Sequence, residues 1–473
     1  MSVTLTDNEG NSVDTFTTIQ AAIDMADTGY TIGLTAGEIY AENLVIDVEG
    51  LTINGAGATL LGSLLADNNI AVGGLYEHIT AVGGFGNTSG TGITVAADNV
   101  TINGLAVQGF YDATLLGDGV DGLTLNAVDY LSNLNGIRKA ETADVTGLTI
   151  TGGSIADGYV GLLIFKTVTP GQAAVGNLSD VLISGTSFTD LARKGIYAET
   201  LSDARITGIT MTNVGQYGAA GGFEGAGSNG TAGNGINLNL KNGAYSDIEI
   251  DLFTFTDVGA SNGAGSSHQN GGAIFITARD DGGTYGPAPA TFTGAVDIHD
   301  GTIAGILSTG IAVGEPNRAN ADPDVTVTNV TIDGEQTTAD FGTVANEANG
   351  ATLTFNGSSA ADVLTASGDS DGALVLNGLG GNDTLAGGAG ADALSGGAGD
   401  DTLVGAAGTD TASYAGVATV SVVSGQWTVT DADGVDTLAN VEVVDDSATG
   451  RTLLVGNGGY ATIQAAIDAA ASG

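Results

Sequence analysis

A row of aspartates with constant spacing runs through the last quarter of the chain. Each aspartate lies in a glycine-rich nonapeptide, the first of which reads Gly-Leu-Gly-Gly-Asn-Asp-Thr-Leu-Ala from residue 378. Aspartate carboxylates and the carbonyl oxygens of tight glycine loops are the hard oxygen ligands that Ca²⁺ prefers in proteins. The spacing therefore predicts stacked Ca²⁺ sites. The predicted ligand residues are Asp383, Asp392, Asp401, Asp410, Gly381, Gly388, Gly390, Gly397 and Gly399.

These nonapeptides follow the pattern Gly-Gly-x-Gly-x-Asp-x-U-x, in which U is a large apolar residue. The segment thus resembles the calcium-binding repeats of RTX (hemolysin-type) proteins. The resemblance implies a parallel β-roll with Ca²⁺ as its cofactor, and the leucine at the eighth position of three copies would face a thin core. A flexible Gly/Asp-rich linker would not keep a nine-residue register.

The positive charge of the chain is concentrated upstream of this segment, where seven of the ten basic residues lie in or beside one set of strands. One interpretation is a groove for an acidic polysaccharide, in which Tyr197 stacks on a sugar and Glu199 or His268 moves protons. The other is that these cations pair with nearby acids such as Glu141 and Glu199, which reduces the self-repulsion of the chain. The predicted glycan-binding set is Arg138, Lys139, Lys166, Arg193, Lys194, Tyr197, Lys241 and Arg279.

Short segments of the form aliphatic–x–aliphatic–small polar–Gly are the elements that must position these residues. Their alternation is typical of strands with one buried face. Most of the spacings between them are one or two multiples of a constant repeat length, as is typical of repeat architectures. His299 takes the fourth position of its copy and is interpreted as a turn residue. The clearest copies are Leu51–Gly55, Val100–Gly104, Leu123–Ala127, Leu148–Gly152, Val181–Gly185 and Ala204–Gly208, and looser copies begin at Ile248, Val296 and Val325.

One short strand per repeat cannot bury its own apolar face, whereas stacked coils of a solenoid can. A second column of strands follows the first and begins at Gly136, Gly161, Gly195, Gly235, Ala273 and Gly310. Two coils carry glycine-rich insertions, residues 217–234 and 259–272, which we expect to project side by side from one edge.

The segment from Phe16 to Asp24 has helical spacing and is expected to cover the first coil. This beginning resembles the right-handed parallel β-helix superfamily of pectate lyases, pectin esterases and alginate epimerases. The predicted fold is therefore all-β, a right-handed parallel β-helix solenoid followed by a calcium-binding β-roll. Its expected parts are residues 1–350 (β-helix with helical cap), 351–413 (β-roll), 414–455 (short strands or cap) and 456–473. The last part matches the N-terminal cap at nine of twelve positions, so it is either the start of a second β-helix repeat or a terminal helix.

Charge and composition restrict the partners. The chain has 10 Lys and Arg residues against 54 Asp and Glu residues, a net charge of −44, which would repel the phosphates of nucleic acid. Hydrophobic residues make up 42% of the chain, which is enough for a core. There is no cysteine, and no apolar run long enough to span a membrane is seen. The expected partners are calcium and an acidic polysaccharide or cell-surface glycan, and self-association stays open.

These features predict a secreted calcium-binding surface or matrix protein, of adhesin or surface-layer type, exported by type I secretion from a Gram-negative bacterium. The amino terminus lacks a basic segment followed by an apolar one, which agrees with that route. The combination of modules also resembles secreted mannuronan C5-epimerases, although their Asp-Pro-His box is missing here. The alternative function is therefore a polyuronate lyase or C5-epimerase acting in the basic groove.

Overall fold

The structure is a computed structural model, and it is almost entirely β-strand where the chain is described. The described residues are 2–62, 90–166, 175–215, 233–259, 272–279, 290–306, 310–314, 323–334, 344–346, 352–357, 359, 361–366 and 372–472.

The elements of the first part of the chain are β1 (Val3–Thr6), β2 (Ser12–Phe16), α1 (Ile19–Ile23), β3 (Thr31–Leu34), β4 (Ile39–Tyr40), β5 (Leu44–Ile46), β6 (Thr52–Asn54), β7 (Thr59–Leu61), β8 (Thr91–Val95), β9 (Thr101–Asn103), β10 (Ala106–Gln108), β11 (Asp112–Leu116), β12 (Thr124–Asn126), β13 (Asp129–Leu131), β14 (Asn135–Lys139), β15 (Val145–Thr151) and β16 (Ser154–Ile164). The middle part contains β17 (Leu178–Ser184), β18 (Ser187–Ala198), β19 (Ser202–Thr207), β20 (Thr210–Val214), β21 (Asn234–Leu240), β22 (Ala244–Asp251), β23 (Thr254–Val258), β24 (Ile274–Ala278), β25 (Thr291–Ile306), β26 (Ile311–Val313), β27 (Val325–Gly334) and β28 (Val344–Asn346). The last part contains β29 (Leu353–Asn356), β30 (Val363–Thr365), β31 (Leu374–Asn377), β32 (Thr384–Ala386), β33 (Ala393–Ser395), β34 (Thr402–Val404), β35 (Thr411–Tyr414), β36 (Thr419–Val423), β37 (Gln426–Thr430), β38 (Val435–Ala439), β39 (Val443–Asp446), β40 (Gly450–Leu453) and α2 (Ile463–Ser472).

Successive coils stack through three ladders of parallel strands. The first ladder contains β3, β6, β9, β12, β15, β17, β19, β22, β25, β27 and β29. The second contains β4, β7, β10, β13, β16, β18, β20, β23 and the later part of β25. The third contains β5, β8, β11, β14, β16, β18, β21, β24, β26 and β28. The predicted all-β parallel solenoid is confirmed.

The repeated segments of the sequence form the first ladder in register. Ile53 pairs with Ile102 and Ile102 with Leu125, and the same position continues to Ile250 and Ile298. The spacings that are twice the repeat length therefore belong to single coils. An insertion lengthens the sequence between two strands without adding a rung to the ladder.

Apolar side chains at the first and third positions of each segment fill the inside of the solenoid. Leu51, Ile53, Val100 and Ile102 are fully buried. Full burial of such a side chain contributes about 1.5–3 kcal/mol relative to its exposure.

Helix α1 packs against β1, β2, β3 and β5 at the start of the solenoid. Its Ile19, Ala22 and Ile23 are buried, while the Glu42 carboxylate accepts hydrogen bonds from the Ile19 and Gln20 amides at its amino end.

The first ladder continues without interruption into the β-roll, through β31, β33, β35 and β39. A separate sheet lies beside it, in the order β30, β32, β34, β38, β37 and β36. Hydrogen bonding therefore links the two modules, and the domain boundaries given above stay a prediction. Among the described residues, no helix is long and apolar enough to cross a membrane.

Candidate functional site

The nonapeptides build a roll with two copies per coil, because each strand pairs with the strand two repeats further along the chain. Thr384 pairs with Thr402 on one side of the roll, and Ala393 pairs with Thr411 on the other. Leu385, Leu394 and Leu403 are fully buried between the two sides. The nine-residue period thus alternates between two sheets.

The repeat aspartates form two ladders of buried carboxylates in this roll. On one side, the Oδ1 atom of Asp401 accepts a hydrogen bond from the Asp383 amide at 2.8 Å. On the other side, Oδ1 of Asp410 accepts one from the Asp392 amide at 2.9 Å. The second oxygen, Oδ2, has no hydrogen-bond partner in Asp383, Asp401 and Asp410, although it is buried. Such oxygens carry a desolvation cost unless a cation binds them.

The repeat glycines allow the loops to stack. A Cβ atom on Gly399 would lie 1.8 Å from the carbonyl oxygen of Gly381, and φ at Gly399 is +137°. The carbonyl oxygen of Gly390 takes the same position below the next loop, where a Cβ on Gly408 would lie 1.9 Å from it. Gly397 has φ of +94° and lies against Leu379. Only glycine permits these close approaches.

Gly388 belongs to the same loops. Its amide donates to Oδ2 of Asp392 at 2.8 Å, and its carbonyl accepts a bond from the Ala407 amide. Asp392 is therefore the repeat aspartate whose second oxygen already has a donor.

The donor set of the roll fits Ca²⁺, a hard cation that takes six to eight oxygen ligands. Asp383, Asp401 and Asp410 would hold the ion through their unpartnered oxygens. Burial, aided by the charges of Asp392 and Glu442, raises the pKa of Asp410 to about 7. Burial likewise raises the pKa of Asp383 and Asp401. Bound Ca²⁺ would supply the positive charge that stabilises these buried carboxylates in their ionised form.

The basic residues predicted to bind glycan lie on or next to the strands of the third ladder, but three of the lysines are buried. The Nζ atom of Lys139 donates to the carbonyl oxygens of Ala140 and Ala143, at 3.0 and 2.9 Å. Nζ of Lys194 lies 4.3 Å from the centre of the Tyr197 ring.

Lys166 is the third buried lysine, and its Nζ donates to Asn177 at 3.0 Å and to the Tyr245 hydroxyl at 3.1 Å. Burial lowers the pKa of Lys139 and of Lys166 to about 8 and places that of Lys194 well below its usual value. In this conformation the three ammonium groups contact the protein itself.

The arginines lie nearer the surface. Arg138 forms ion pairs with Asp112 at 3.0 Å and with Glu141 at 3.5 Å. Arg193 donates to the Tyr159 hydroxyl at 3.2 Å and lies over the ring.

Arg279 follows β24, and its amide donates to the carbonyl oxygen of Leu240 at 2.7 Å. His268 lies outside the described residues, as do most of the two predicted insertions.

Tyr197 and Glu199 meet in one polar network on the outside of the third ladder. The Tyr197 hydroxyl donates to Oε1 of Glu199 at 2.9 Å and accepts a bond from Asn239 at 2.9 Å. Lys241 forms an ion pair with the same Oε1, and the Lys166 amide donates to Oε2 at 2.9 Å. Both oxygens of Glu199 are thus engaged. Burial and the charge of Glu199 raise the pKa of Tyr197.

A second cluster, on the outside of the first ladder, was missed by sequence reasoning. His299 lies within strand β25 rather than in a turn, and its ring bonds Asp300 at 2.9 Å and Glu249 at 3.1 Å. Arg205 contacts Asp251 at 2.7 Å and Glu249 at 3.5 Å. The signal was present in three successive segments, which have Arg205, Glu249 and Asp297 at the second position, where Thr is usual. The last two of these segments also have Asp251 and His299 at the fourth position.

Arg205, Glu249, His299 and Asp300 of this cluster line a groove with a volume of 820 Å³ that runs along six coils. Acidic residues dominate its lining, and Arg205 and His299 are the basic groups among the lining residues. The hydrogen bonds to Asp300, and then to Glu249, raise the pKa of His299. The carboxylates of the lining are Asp180, Asp203, Asp247, Glu249, Asp297 and Asp300.

Comparisons with solved structures return proteins of low similarity. They include a pectin methylesterase in complex with a hexasaccharide, with 11% identity, a TM-score of 0.35, and coverage of 70% of this chain and 89% of that chain. The Dettilon tailspike protein has 12% identity and a TM-score of 0.32 over 83% of this chain and 67% of that chain. A tailspike protein of E. coli bacteriophage HK620 in complex with a pentasaccharide has 10% identity and a TM-score of 0.31, over 86% of this chain and 65% of that chain. The fold assignment rests on the strand pairing described above.

Sequence comparison identifies the carboxyl-terminal module. No curated protein matches the chain. Residues 377–412 match the family of the RTX calcium-binding nonapeptide repeat, in four copies. These are the same residues that stack into the roll and leave carboxylate oxygens without donors. The chain therefore carries RTX calcium-binding repeats on the end of a parallel β-helix.

Proposed function

We propose that this is a secreted surface or matrix protein whose β-roll folds on extracellular Ca²⁺ and whose β-helix contacts acidic polysaccharide. The observation that carries the proposal is the set of buried oxygens without donors at Asp383, Asp401 and Asp410. Extracellular calcium modules are tuned to roughly 10⁻⁴–10⁻³ M. The roll would stay loose inside a cell and fold outside it, which suits export through a type I channel.

The third ladder is the face that we propose for the polysaccharide. Phe165 and Tyr197 pack edge to face there, with ring centres 5.8 Å apart, next to the ion pairs of Arg138 and Lys241. A uronate carboxylate could replace an acidic partner of either cation, and the aromatic edge offers a surface for a sugar ring. The groove of the first ladder is less suited to a polyanion, because its carboxylates would repel it.

Binding to alginate tests this assignment. Arg138→Gln should weaken binding, and added salt should weaken it further, because exposed charge interactions are screened beyond about 10 Å at 0.1 M salt. Arg451→Gln is the matched control, since Arg451 is an exposed arginine on β40 with a weak contact to Asp445 at 3.9 Å. Equal binding by the wild type and both variants at low salt would reject the third ladder as the glycan face. Thermal melts in Ca²⁺ check that the Arg138 variant is folded.

Polyuronate lyase or C5-epimerase activity is the second candidate. The observation in its favour is that Glu199 contacts both Tyr197 and Lys241, because a phenol, a carboxylate and an ammonium group are what proton transfer at a uronate C5 would use. The raised pKa of Tyr197 keeps its phenol protonated near neutral pH, so the phenolate that would act as the base is scarce, which places this function second. Absorbance of unsaturated products from alginate and pectate, and NMR for epimerised residues, would detect it. Loss of either signal in Tyr197→Phe would assign it to this network.

A further inference from the structure

We propose that Glu249, Asp251 and His299 form a second metal site, separate from the β-roll, for a divalent transition-metal ion such as Zn²⁺ or Mn²⁺. Glu249 and Asp251 alternate along β22, so both side chains lie on the outer face of the first ladder. His299 on β25 pairs in register with Asp251. One ligand atom from each of the three residues lies within 4.8 Å of the others.

Asp251 supplies the observation that points to an ion. Its side chain is only 2% exposed, and its Oδ1 atom is buried without a hydrogen-bond partner. The other oxygen, Oδ2, accepts a hydrogen bond from Arg205 at 2.7 Å. A buried carboxylate oxygen without a donor is costly, and a metal ion would satisfy it.

As in Asp251, the two carboxylate oxygens of Glu249 differ in their surroundings. Its Oε2 lies 3.5 Å from Arg205, and its Oε1 faces Nε2 of His299 at 3.1 Å. Arg205 therefore holds one oxygen of each carboxylate, which leaves the other oxygen of each for the ion. This arrangement positions the ligands before the metal arrives.

His299 is oriented as metal-binding histidines usually are. Its Nδ1 bonds Oδ2 of Asp300 at 2.9 Å, which directs Nε2 toward Glu249. A carboxylate on the second ring nitrogen is the common outer partner of a histidine ligand. The metal would take the place of the proton between Nε2 and Oε1 of Glu249.

The donor set and its setting favour a transition metal over Ca²⁺. Imidazole suits Zn²⁺ and related ions, whereas Ca²⁺ takes oxygen ligands. The surrounding carboxylates of the groove attract cations. Three protein ligands beside an open groove of 820 Å³ leave coordination positions for water or for an oxygen atom of a bound molecule.

Zn²⁺ and Mn²⁺ titrations of the intact, untagged chain by calorimetry test the proposal. The buffer contains about 10 mM Ca²⁺, above the range at which extracellular modules saturate, so that the roll is occupied. We expect one equivalent to bind the wild type, and binding weaker by about tenfold or more in Asp251→Asn and in His299→Gln. Asp14→Asn, the same change at an exposed residue of β2, should bind as the wild type does.

A second readout keeps the test independent of folding defects in the variants. Co²⁺ in the wild type should give visible absorption bands of a nitrogen- and oxygen-ligated ion, and Zn²⁺ should displace them. The proposal is overturned if the wild type binds none of these ions in Ca²⁺, or if His299→Gln binds them as tightly as the wild type. These outcomes do not depend on glycan binding, and they leave the proposed function of the protein untouched.

Discussion

Asp401→Asn probes the calcium assignment of the roll at a single atom. In the wild type, Oδ1 of Asp401 accepts the Asp383 amide at 2.8 Å, while Oδ2 has no partner. Asparagine keeps an acceptor for that amide but replaces the charged second oxygen with an amide nitrogen, which cannot bind a cation. The substitution therefore removes a calcium ligand and leaves the strand pairing in place.

The size of the effect follows from the lost charged contact. A hydrogen-bond-like contact to a charged group contributes about 1.5–3 kcal/mol, and each 1.4 kcal/mol corresponds to about tenfold in an equilibrium constant. We therefore expect the Ca²⁺ concentration at the folding midpoint to rise by about 10- to 100-fold. A wild-type midpoint near 10⁻³ M, as for weak extracellular modules, would move beyond millimolar Ca²⁺.

The chain contains a built-in reporter for this measurement, because Trp427 is its single tryptophan. Trp427 lies on β37, which pairs with β38, and β38 pairs with β34 of the roll. Its fluorescence in the intact chain should shift as Ca²⁺ folds the roll. Asp468→Asn, in the exposed helix α2, is the control with the same chemical change. An unchanged Ca²⁺ midpoint in Asp401→Asn would refute the assignment of Oδ2 as a ligand.

Three further predictions concern packing and charge. Gly399→Ala should abolish the Ca²⁺-dependent fluorescence shift of Trp427, because the new Cβ would lie 1.8 Å from the Gly381 carbonyl oxygen. Gly416→Ala is the control: its Cβ would meet nothing within 4 Å, so the fluorescence shift should stay intact. Leu394→Ala should destabilise the Ca²⁺-loaded roll by about 2–5 kcal/mol in urea titrations, since this leucine is fully buried. Raising the pH from 8 toward 10 should stabilise the β-helix. The pKa of Lys139 and of Lys166 is about 8 in the folded chain but about 10.4 in the unfolded chain. The unfolded chain therefore binds more protons in that window, so the free energy of unfolding rises with pH. Thermal melts across this window should show a smaller slope in Lys166→Met, and an unchanged slope would contradict the reasoning.

Periodicity in the sequence was sufficient to predict the architecture. Alternation of apolar residues defines which face of a strand is buried, and glycine after the fourth position defines where the strand ends. The copies around Ile53, Ile102 and Leu125 stack in register for this reason. The nine-residue period likewise placed the repeat aspartates on the two sides of one roll, since each strand pairs with the strand two repeats away.

Contacts between distant coils could not be predicted in the same way. Glu249 and His299 are 50 residues apart, and their contact depends on an inserted length that adds no rung to the ladder. The burial of Lys139, Lys166 and Lys194 was also hidden, because a basic residue beside a strand can face solvent or turn back toward backbone carbonyls and aromatic rings. Charge in the sequence therefore indicated a basic region without showing which cations are accessible.

The two copies of Thr-Ile-Gln-Ala-Ala-Ile-Asp separate local from tertiary effects most clearly. In both, the threonine hydroxyl caps the helix by accepting an amide, and the glutamine side chain donates to the aspartate at 2.8 Å. Ile19 and Ile23 are nevertheless fully buried, whereas Ile463 is 70% and Ile467 is 54% exposed. Capping and side-chain bonds within one turn depend only on neighbours in the sequence, so the sequence alone determined both helices. Burial depends on the strands packed against a helix, and α1 packs against β1, β2, β3 and β5. The tertiary structure alone therefore decided that the isoleucines of α1 are buried.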